Sequence, residues 1–251
     1  MSRQNYLSND NIKQWKDEIG EKFFEGCLNK NNIGNSLDGR IINGKFYDYN
    51  QFFQIYYAKH INENIELEEK IIWEIGGGYG SLTQILMQPN KRPQCYIFMD
   101  LPEANVQAAF FLKSHFPNFK IALDIDFPNK KMSKDDFLLF DIIIVSPSIL
   151  FEKDVKFDLI INARSMMEME WKVIKNYFHL INNYIANDGV LFCCNRYEKN
   201  TVGQTIKIAN FNFGSFWNVI VSKPCFKQPH IHMLILNRSL EKGDIKNELV
   251  R

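Results

Sequence analysis

The segment Glu74-Ile75-Gly76-Gly77-Gly78-Tyr79-Gly80 follows a short apolar run and places four glycines within five positions. So little side chain lets a ligand approach backbone N–H groups closely. The spacing narrows the choice of ligand. A dinucleotide fingerprint, G-x-G-x-x-G, started at Gly76 needs a third glycine where Ser81 stands, and started at Gly78 it needs one where Thr83 stands. A phosphate-binding P-loop would end in Gly-Lys-Ser/Thr, which is absent. The remaining pattern is an acidic residue, Glu74, followed by Gly76, Gly78 and Gly80 at alternate positions. Asp100 comes 20 residues after Gly80, at the end of the next apolar run, and is followed by Leu101-Pro102. A carboxylate there can accept hydrogen bonds from both ribose hydroxyls of an adenosine.

Other polar groups fall at the ends of apolar runs. Ser146 closes residues 141–145 and is the expected adenine neighbour, although residues 120–124 offer a second register in which Asp124 takes that place. Asn162, Arg164 and Ser165 follow residues 157–161, and Asn195-Arg196 follow residues 190–194. An arginine fork suits a phosphate or carboxylate, and a surface ion pair is the plain alternative. Glu168 has two readings. With Ser165 it spells Ser-x-x-Glu ahead of an apolar helix, a capping box; it can also serve as a general base at an acceptor site. His230 and His232 alternate, so in a strand both face one way, and either could act as a base. No His, Cys or carboxylate set has convincing metal spacing, and the expectation for metal is none.

The elements that must hold these groups alternate. Apolar runs at 71–75, 95–99, 141–145, 157–161, 190–194, 217–221 and 230–236 read as seven strands, the last two an antiparallel pair. Helices are expected from Ser81, from Pro102 to about His115, and along Met167, Trp171, Ile174, Phe178, Ile181 and Ile185, closed by Asn187-Asp188-Gly189. Such alternation implies an α/β fold with a mostly parallel sheet covered by helices on both faces, with ligands bound beyond the carboxyl ends of the strands. The first residues differ. Asn9 and Asp10 can cap a helix carrying Trp15, Ile19 and Phe23; residues 29–44 have loop composition; residues 49–61 read as a helix apolar nearly all round. The expected organisation is a helical N-terminal cap at 1–68, a ligand-binding domain at 69–240 and a charged tail at 241–251. Tyr47, Tyr49, Tyr56 and Tyr57 in the cap either close over the ligand or pack in the core.

Together the glycine loop and Asp100-Leu101-Pro102 resemble motifs I and II of class I S-adenosylmethionine-dependent methyltransferases, whose sheet is Rossmann-like. Trp73 to Gly80, Asp100-Leu101-Pro102-Glu103, Phe157-Asp158-Leu159-Ile160-Ile161-Asn162, Ser165-Met166-Met167-Glu168-Met169 and Asn195-Arg196 look more narrowly like a bacterial sugar O-methyltransferase family. The resemblance runs from about residue 70 to 200. It implies S-adenosyl-L-methionine as cofactor, held by Glu74, Gly76, Gly77, Gly78, Gly80, Asp100, Leu101, Ser146 and Asn162. It also implies an acceptor near Arg164, Ser165, Asn195 and Arg196, and O-methylation in a surface polysaccharide pathway, capsule or lipopolysaccharide. It does not name the acceptor.

Composition limits the alternatives. A chain of 251 residues with 45% hydrophobic content can bury a sizeable core. The 21 Phe and 10 Tyr suit a Phe-rich core or an aromatic-lined pocket. A net charge of +1 without a Lys/Arg block argues against a nucleic-acid partner. No apolar run is long enough to span a bilayer, no leader is recognisable, and the five cysteines read as buried reduced thiols, so a cytoplasmic enzyme is expected. The expected partner is a small-molecule acceptor, with self-association into a homodimer left open. A nicotinamide-dependent oxidoreductase and a non-catalytic S-adenosylmethionine-binding subunit are the rival functions.

Overall fold

The apolar runs pair side by side. In the computed structural model, which describes residues 6–29, 33, 36, 39–88, 92–201 and 203–239, the strands β1 (Ile71–Ile75), β2 (Cys95–Met99), β3 (Ile121–Leu123), β4 (Ile142–Val145), β5 (Phe157–Ala163), β6 (Ile185–Arg196), β7 (Trp217–Cys225) and β8 (Gln228–Arg238) form one sheet. Their order is β7-β8-β6-β5-β1-β2-β4-β3. From β3 to β6 every neighbour is parallel, and β8 runs against both β6 and β7. The fold is therefore Rossmann-like, mixed α/β with a mainly parallel sheet. The expected closing pair is antiparallel. The sequence predicts seven strands, and among the described residues this sheet has eight, because residues 120–124 and 141–145, read as alternatives, both contribute a strand. β4 lies beside β2, and β3 pairs outside it through Ile121–Leu123 with Ile142–Ile144. Three residues, one of them the exposed Leu123, are too short a run to announce an edge strand.

Strands buried on both faces need apolar side chains at every position. In β1, Ile72 joins Tyr96 and Phe98 in one core, while Trp73 and Ile75 join Ile97 and Met99 in the other. The first core is covered by α3 (Tyr49–Asn64), α4 (Ser81–Leu86) and α5 (Pro102–His115). The second is covered by α6 (Asp136–Leu139) and α7 (Trp171–Tyr184). Pro102 opens α5, where a missing N–H costs nothing. α7 begins four residues later than the stripe from Met167 suggested. Glu170 is extended (φ −68, ψ 151), which separates the helix from a 3₁₀ turn at Met166–Glu168. Ile185 already belongs to β6.

The N-terminal residues pack on the first core. α1 (Asn9–Ile19) buries Trp15 and Ile19, and it is capped by Ser8, whose Oγ accepts from the Asn11 N–H at 3.2 Å, rather than by Asn9 or Asp10. Gly20, at φ +93, ends α1, so Phe23 lies on a second helix, α2 (Glu21–Gly26). The expected loop at 29–44 gives way at its end to a hairpin, Gly39–Ile42 with Lys45–Asp48. Its turn is Asn43-Gly44, both at positive φ, the signature of a two-residue hairpin turn. α3 is buried nearly all round, from Gln51 to Ile61. Tyr47, Tyr56 and Tyr57 are core residues, and Tyr49 stacks on Tyr6 at 4.4 Å. All five cysteines are buried and free. Among the described residues no helix is long and apolar enough to cross a membrane. The tail at 241–251 and the first five residues lie outside the described residues.

Candidate functional site

The glycine loop leaves β1 and turns into α4. Gly76, Gly78 and Gly80 have φ of +75, +65 and +93, a region other residues rarely enter. The three do not serve one purpose. A Cβ on Gly76 would stand 2.1 Å from Ser165 Oγ, and one on Gly77 would stand 2.1 Å from the Phe98 ring. One on Gly80 would press on Leu112 at 3.1 Å. One on Gly78 would meet nothing within 4 Å. Three glycines thus make room for the protein itself, and Gly78 alone faces open space. Asp100, at the end of β2, reaches across to this point. Its Oδ2 accepts from the Gly78 N–H at 2.7 Å, and its Oδ1 accepts from the Leu101 N–H at 2.7 Å. Each oxygen keeps a lone pair for a further donor. Leu101 is exposed beside it.

Glu74 is placed differently. It is 2% exposed, and its Oε2 accepts from Thr83 Oγ1 at 2.7 Å and Tyr96 OH at 2.8 Å. The carboxyl group ties β1 to α4 and β2 beneath the loop instead of opening onto the rim. Burial pushes it up from the ordinary 4.5 to about 7, against the two hydroxyl donors, which pull it down. A carboxyl that keeps its proton to higher pH in the folded chain than in the unfolded one supports the fold at low pH. That support is fully present below 4.5 and is lost as pH rises through about 7. The two values differ by enough to make this roughly 3 kcal/mol. Glu74→Gln, which cannot ionise, should therefore lose less melting temperature than wild type between pH 5 and pH 8. Equal losses in the two proteins would refute the linkage.

Asn162, Ser165 and Asn195 form a polar knot under the loop. Asn162 Nδ2 donates to the Ile75 carbonyl at 2.9 Å and to Ser165 Oγ at 2.6 Å. Ser165 Oγ donates to the same carbonyl at 3.0 Å. Asn195 Nδ2 donates to Asn162 Oδ1 at 2.8 Å. Asn162 and Asn195 are fully buried. The three therefore fix the residue that precedes Gly76, and the fit of Ser165 against Gly76 is part of the same arrangement. The capping-box reading fails on this point. The Ser165 side chain makes no cap bond, and the Glu168 carboxylate pairs with Lys199 at 2.6 Å.

The two adenine candidates are partners. Ser146 is 6% exposed, and its N–H and Oγ donate to Asp124 Oδ1 at 3.0 and 3.3 Å. The ends of β3 and β4 thus meet on the same rim as Asp100.

Of the three candidate bases, Glu168 is 65% exposed and charge-paired. His230 is exposed at the start of β8, and it is pushed below its usual range by burial and by Arg196 and Arg164. His232 is 6% exposed and held at both nitrogens, Nδ1 with Tyr197 OH at 2.6 Å and Nε2 with Ser222 Oγ at 2.9 Å. Burial lowers its pKa, so the ring is neutral near pH 7. Tyr197 was not singled out from sequence. It follows Arg196 on the rim, is 42% exposed, and links the buried histidine to the surface. The only sequence signal for it is adjacency to Asn195-Arg196, since its pairing with β8 spans 35 residues. Among the described residues no three His, Cys, Asp or Glu gather as metal ligands. Beside the loop, a cleft of about 680 Å³ opens between the hairpin, the first turn of α3 and α5, lined by Phe46, Asp48, Tyr79, Val106 and Phe110 among others.

No family model matches the sequence, and no curated protein matches it. Among solved structures the chain is similar to a methyltransferase from Pyrococcus furiosus, with 10% identity, 82% of this chain and 87% of that chain covered, and a TM-score of 0.48. It is similar to an O-methyltransferase family 2 protein from Planctomyces limnophilus in complex with apigenin, with 10% identity, 74% and 58% covered, and a TM-score of 0.49. It is also similar to a protein of the NADB-Rossmann superfamily from Streptococcus agalactiae, with 10% identity, 77% and 72% covered, and a TM-score of 0.50. That last likeness is one of fold, and it agrees with the Rossmann-like sheet described above.

Proposed function

We propose that this chain is an S-adenosylmethionine-dependent methyltransferase that methylates an oxygen of a small polar acceptor in the cytoplasm. The acceptor we infer is a sugar or another building block of a bacterial surface polysaccharide. The observation that carries the reading is the pairing of Gly78, bare and facing open space, with the Asp100 carboxylate beside it. The residues fit the cofactor. Asp100 has lone pairs for the two ribose hydroxyls, the open face above Gly78 admits a ligand against the backbone, and Ser146 with Asp124 borders the adenine side. Bound there, S-adenosylmethionine supplies an activated methyl group on a sulfonium.

The chain's own part is alignment and proton removal. Holding the acceptor oxygen in line with the methyl group converts translational freedom into rate. A hydroxyl is a poor nucleophile while protonated, so a base at the rim adds to this. Glu168, His230 and His232 are the proposed bases, and His232 acts through the Tyr197 hydroxyl that it touches.

Calorimetric titration with S-adenosylmethionine and with NAD tests the cofactor. Binding of S-adenosylmethionine and not NAD is expected, and the reverse would leave the oxidoreductase as the better reading. Turnover by the purified chain on an acceptor mixture separates an enzyme from a non-catalytic binding subunit. Asp100→Ala should weaken S-adenosylmethionine binding by about ten-fold or more, since a hydrogen bond to a charged group contributes about 1.5–3 kcal/mol. Normal binding by this variant would place the ribose contact elsewhere.

A further inference from the structure

Two arginines stand at the ends of neighbouring strands, and among the described residues no carboxylate pairs with either. Arg164 follows β5, and its N–H donates to the Cys194 carbonyl of β6 at 2.7 Å. Arg196 ends β6 opposite Ile231 of β8, and the next N–H, that of Tyr197, donates to the His230 carbonyl at 3.1 Å. Both arginines are half-buried. Among the described residues neither makes an ion pair, while the nearby Glu168 is neutralised by Lys199. A guanidinium drawn partly out of water without a partner is unfavourable, and a bound anion would relieve that cost.

Two further observations bear on the same place. Arg164 is held at φ +71, in the left-handed region that side chains other than glycine avoid. Strain of this kind collects at ligand clamps, where the surroundings hold a residue against its preference. His230 is pushed down by burial first and then by Arg196 and Arg164, so both positive charges are felt at one point on the rim. That rim adjoins the glycine loop, because Ser165, next to Arg164, packs against Gly76.

We propose that Arg164 and Arg196 clamp an oxyanion carried by the methyl acceptor. Two planar forks suit a phosphate or a carboxylate, and a neutral sugar would leave both charges unanswered. On this view the acceptor is an acidic building block, a phosphorylated sugar or a sugar acid. The inference rests on the methyltransferase reading for the word acceptor, but the clamp itself does not.

Inorganic phosphate and acetate are the probes, titrated into the full chain with and without S-adenosylhomocysteine and followed by phosphorus NMR line width and by calorimetry. Saturable binding to wild type is expected. Arg196→Gln and Arg164→Asn, the second chosen because asparagine tolerates the left-handed region, should each weaken it by about ten-fold or more. Arg196→Lys should recover only part of the loss, since an ammonium lacks the fork. Stronger binding of phosphate than of acetate assigns a phosphorylated acceptor, and the opposite order assigns a sugar acid. Absence of binding by folded wild type, or unchanged affinity in both arginine variants, overturns the clamp. A chain that ignores S-adenosylhomocysteine yet binds phosphate through these arginines overturns the methyltransferase reading and upholds the clamp.

Discussion

Gly78→Val should abolish S-adenosylmethionine binding while the chain still folds. The argument is geometric. A Cβ at Gly78 would meet no protein atom within 4 Å apart from its chain neighbours, so a side chain there enters open space, which the proposed cofactor would occupy. The backbone there has φ +65, and a β-branched residue in that region costs about 1–2 kcal/mol. That is a fraction of the roughly 5–15 kcal/mol by which a domain is stable. Gly78→Asn separates obstruction from strain, because asparagine tolerates this conformation and still fills the space. Both variants should fail in calorimetric titration with melting temperatures near wild type. Gly76→Ala should behave in the opposite way. Its Cβ would fall 2.1 Å from Ser165 Oγ, so the knot that holds the Ile75 carbonyl must break, and melting temperature should drop along with binding. If Gly78→Val binds normally, the loop does not hold the cofactor. If Gly76→Ala melts like wild type, the knot does not support the loop.

The contrast between these two glycines shows how far the sequence could be read. The loop, Asp100 and the order of apolar runs were legible because each is a local pattern: glycine spacing, a carboxylate at a strand end, alternation of strand and helix. The purpose of each glycine was not local. Ser165 lies 90 residues from Ile75, whose carbonyl it holds, and Asn195 lies 33 from Asn162. Nothing in the spacing of residues 162, 165 and 195 announces that they share one buried knot. Ser-x-x-Glu at 165–168 read as a capping box for the same reason, since the competing partners of Ser165 and Glu168, Ile75 and Lys199, come from other strands. Two departures from the sequence reading have local signals. Asn43-Gly44 marks a tight hairpin turn, yet its Asn- and Gly-rich surroundings read as plain loop. Residues 142–145 do lie beside β2 with Ser146 at their end, as the favoured register has it, but residues 121–123 add an edge strand that brings Asp124 into a hydrogen-bonded pair with Ser146 instead of excluding it.

The catalytic base should be His232, and His232→Gln should cut turnover by roughly 10²–10⁴-fold, the usual contribution of general-base catalysis. His232 is neutral near pH 7, and its Nδ1 lies 2.6 Å from the Tyr197 hydroxyl, which is 42% exposed at the rim. A proton taken from the acceptor at that hydroxyl has a path to the ring. Glu168 is the weaker candidate. It is 65% exposed, and its ion pair with Lys199 draws it toward the Glu198–Thr201 strand. Glu168→Gln should therefore keep most of its activity, and His230→Gln should change substrate affinity more than rate. Melting temperature must be measured beside rate, because His232 also bonds Ser222 at 2.9 Å and its loss could loosen the hairpin of β7 and β8. Tyr197→Phe settles that ambiguity. It removes the hydroxyl from an exposed ring and spares the Ser222 contact, so a large rate loss without a shift in melting temperature marks a proton path. Full activity in Tyr197→Phe and His232→Gln, with loss in Glu168→Gln, would move the base to the carboxylate. Full activity in all of them would mean that alignment alone drives the transfer.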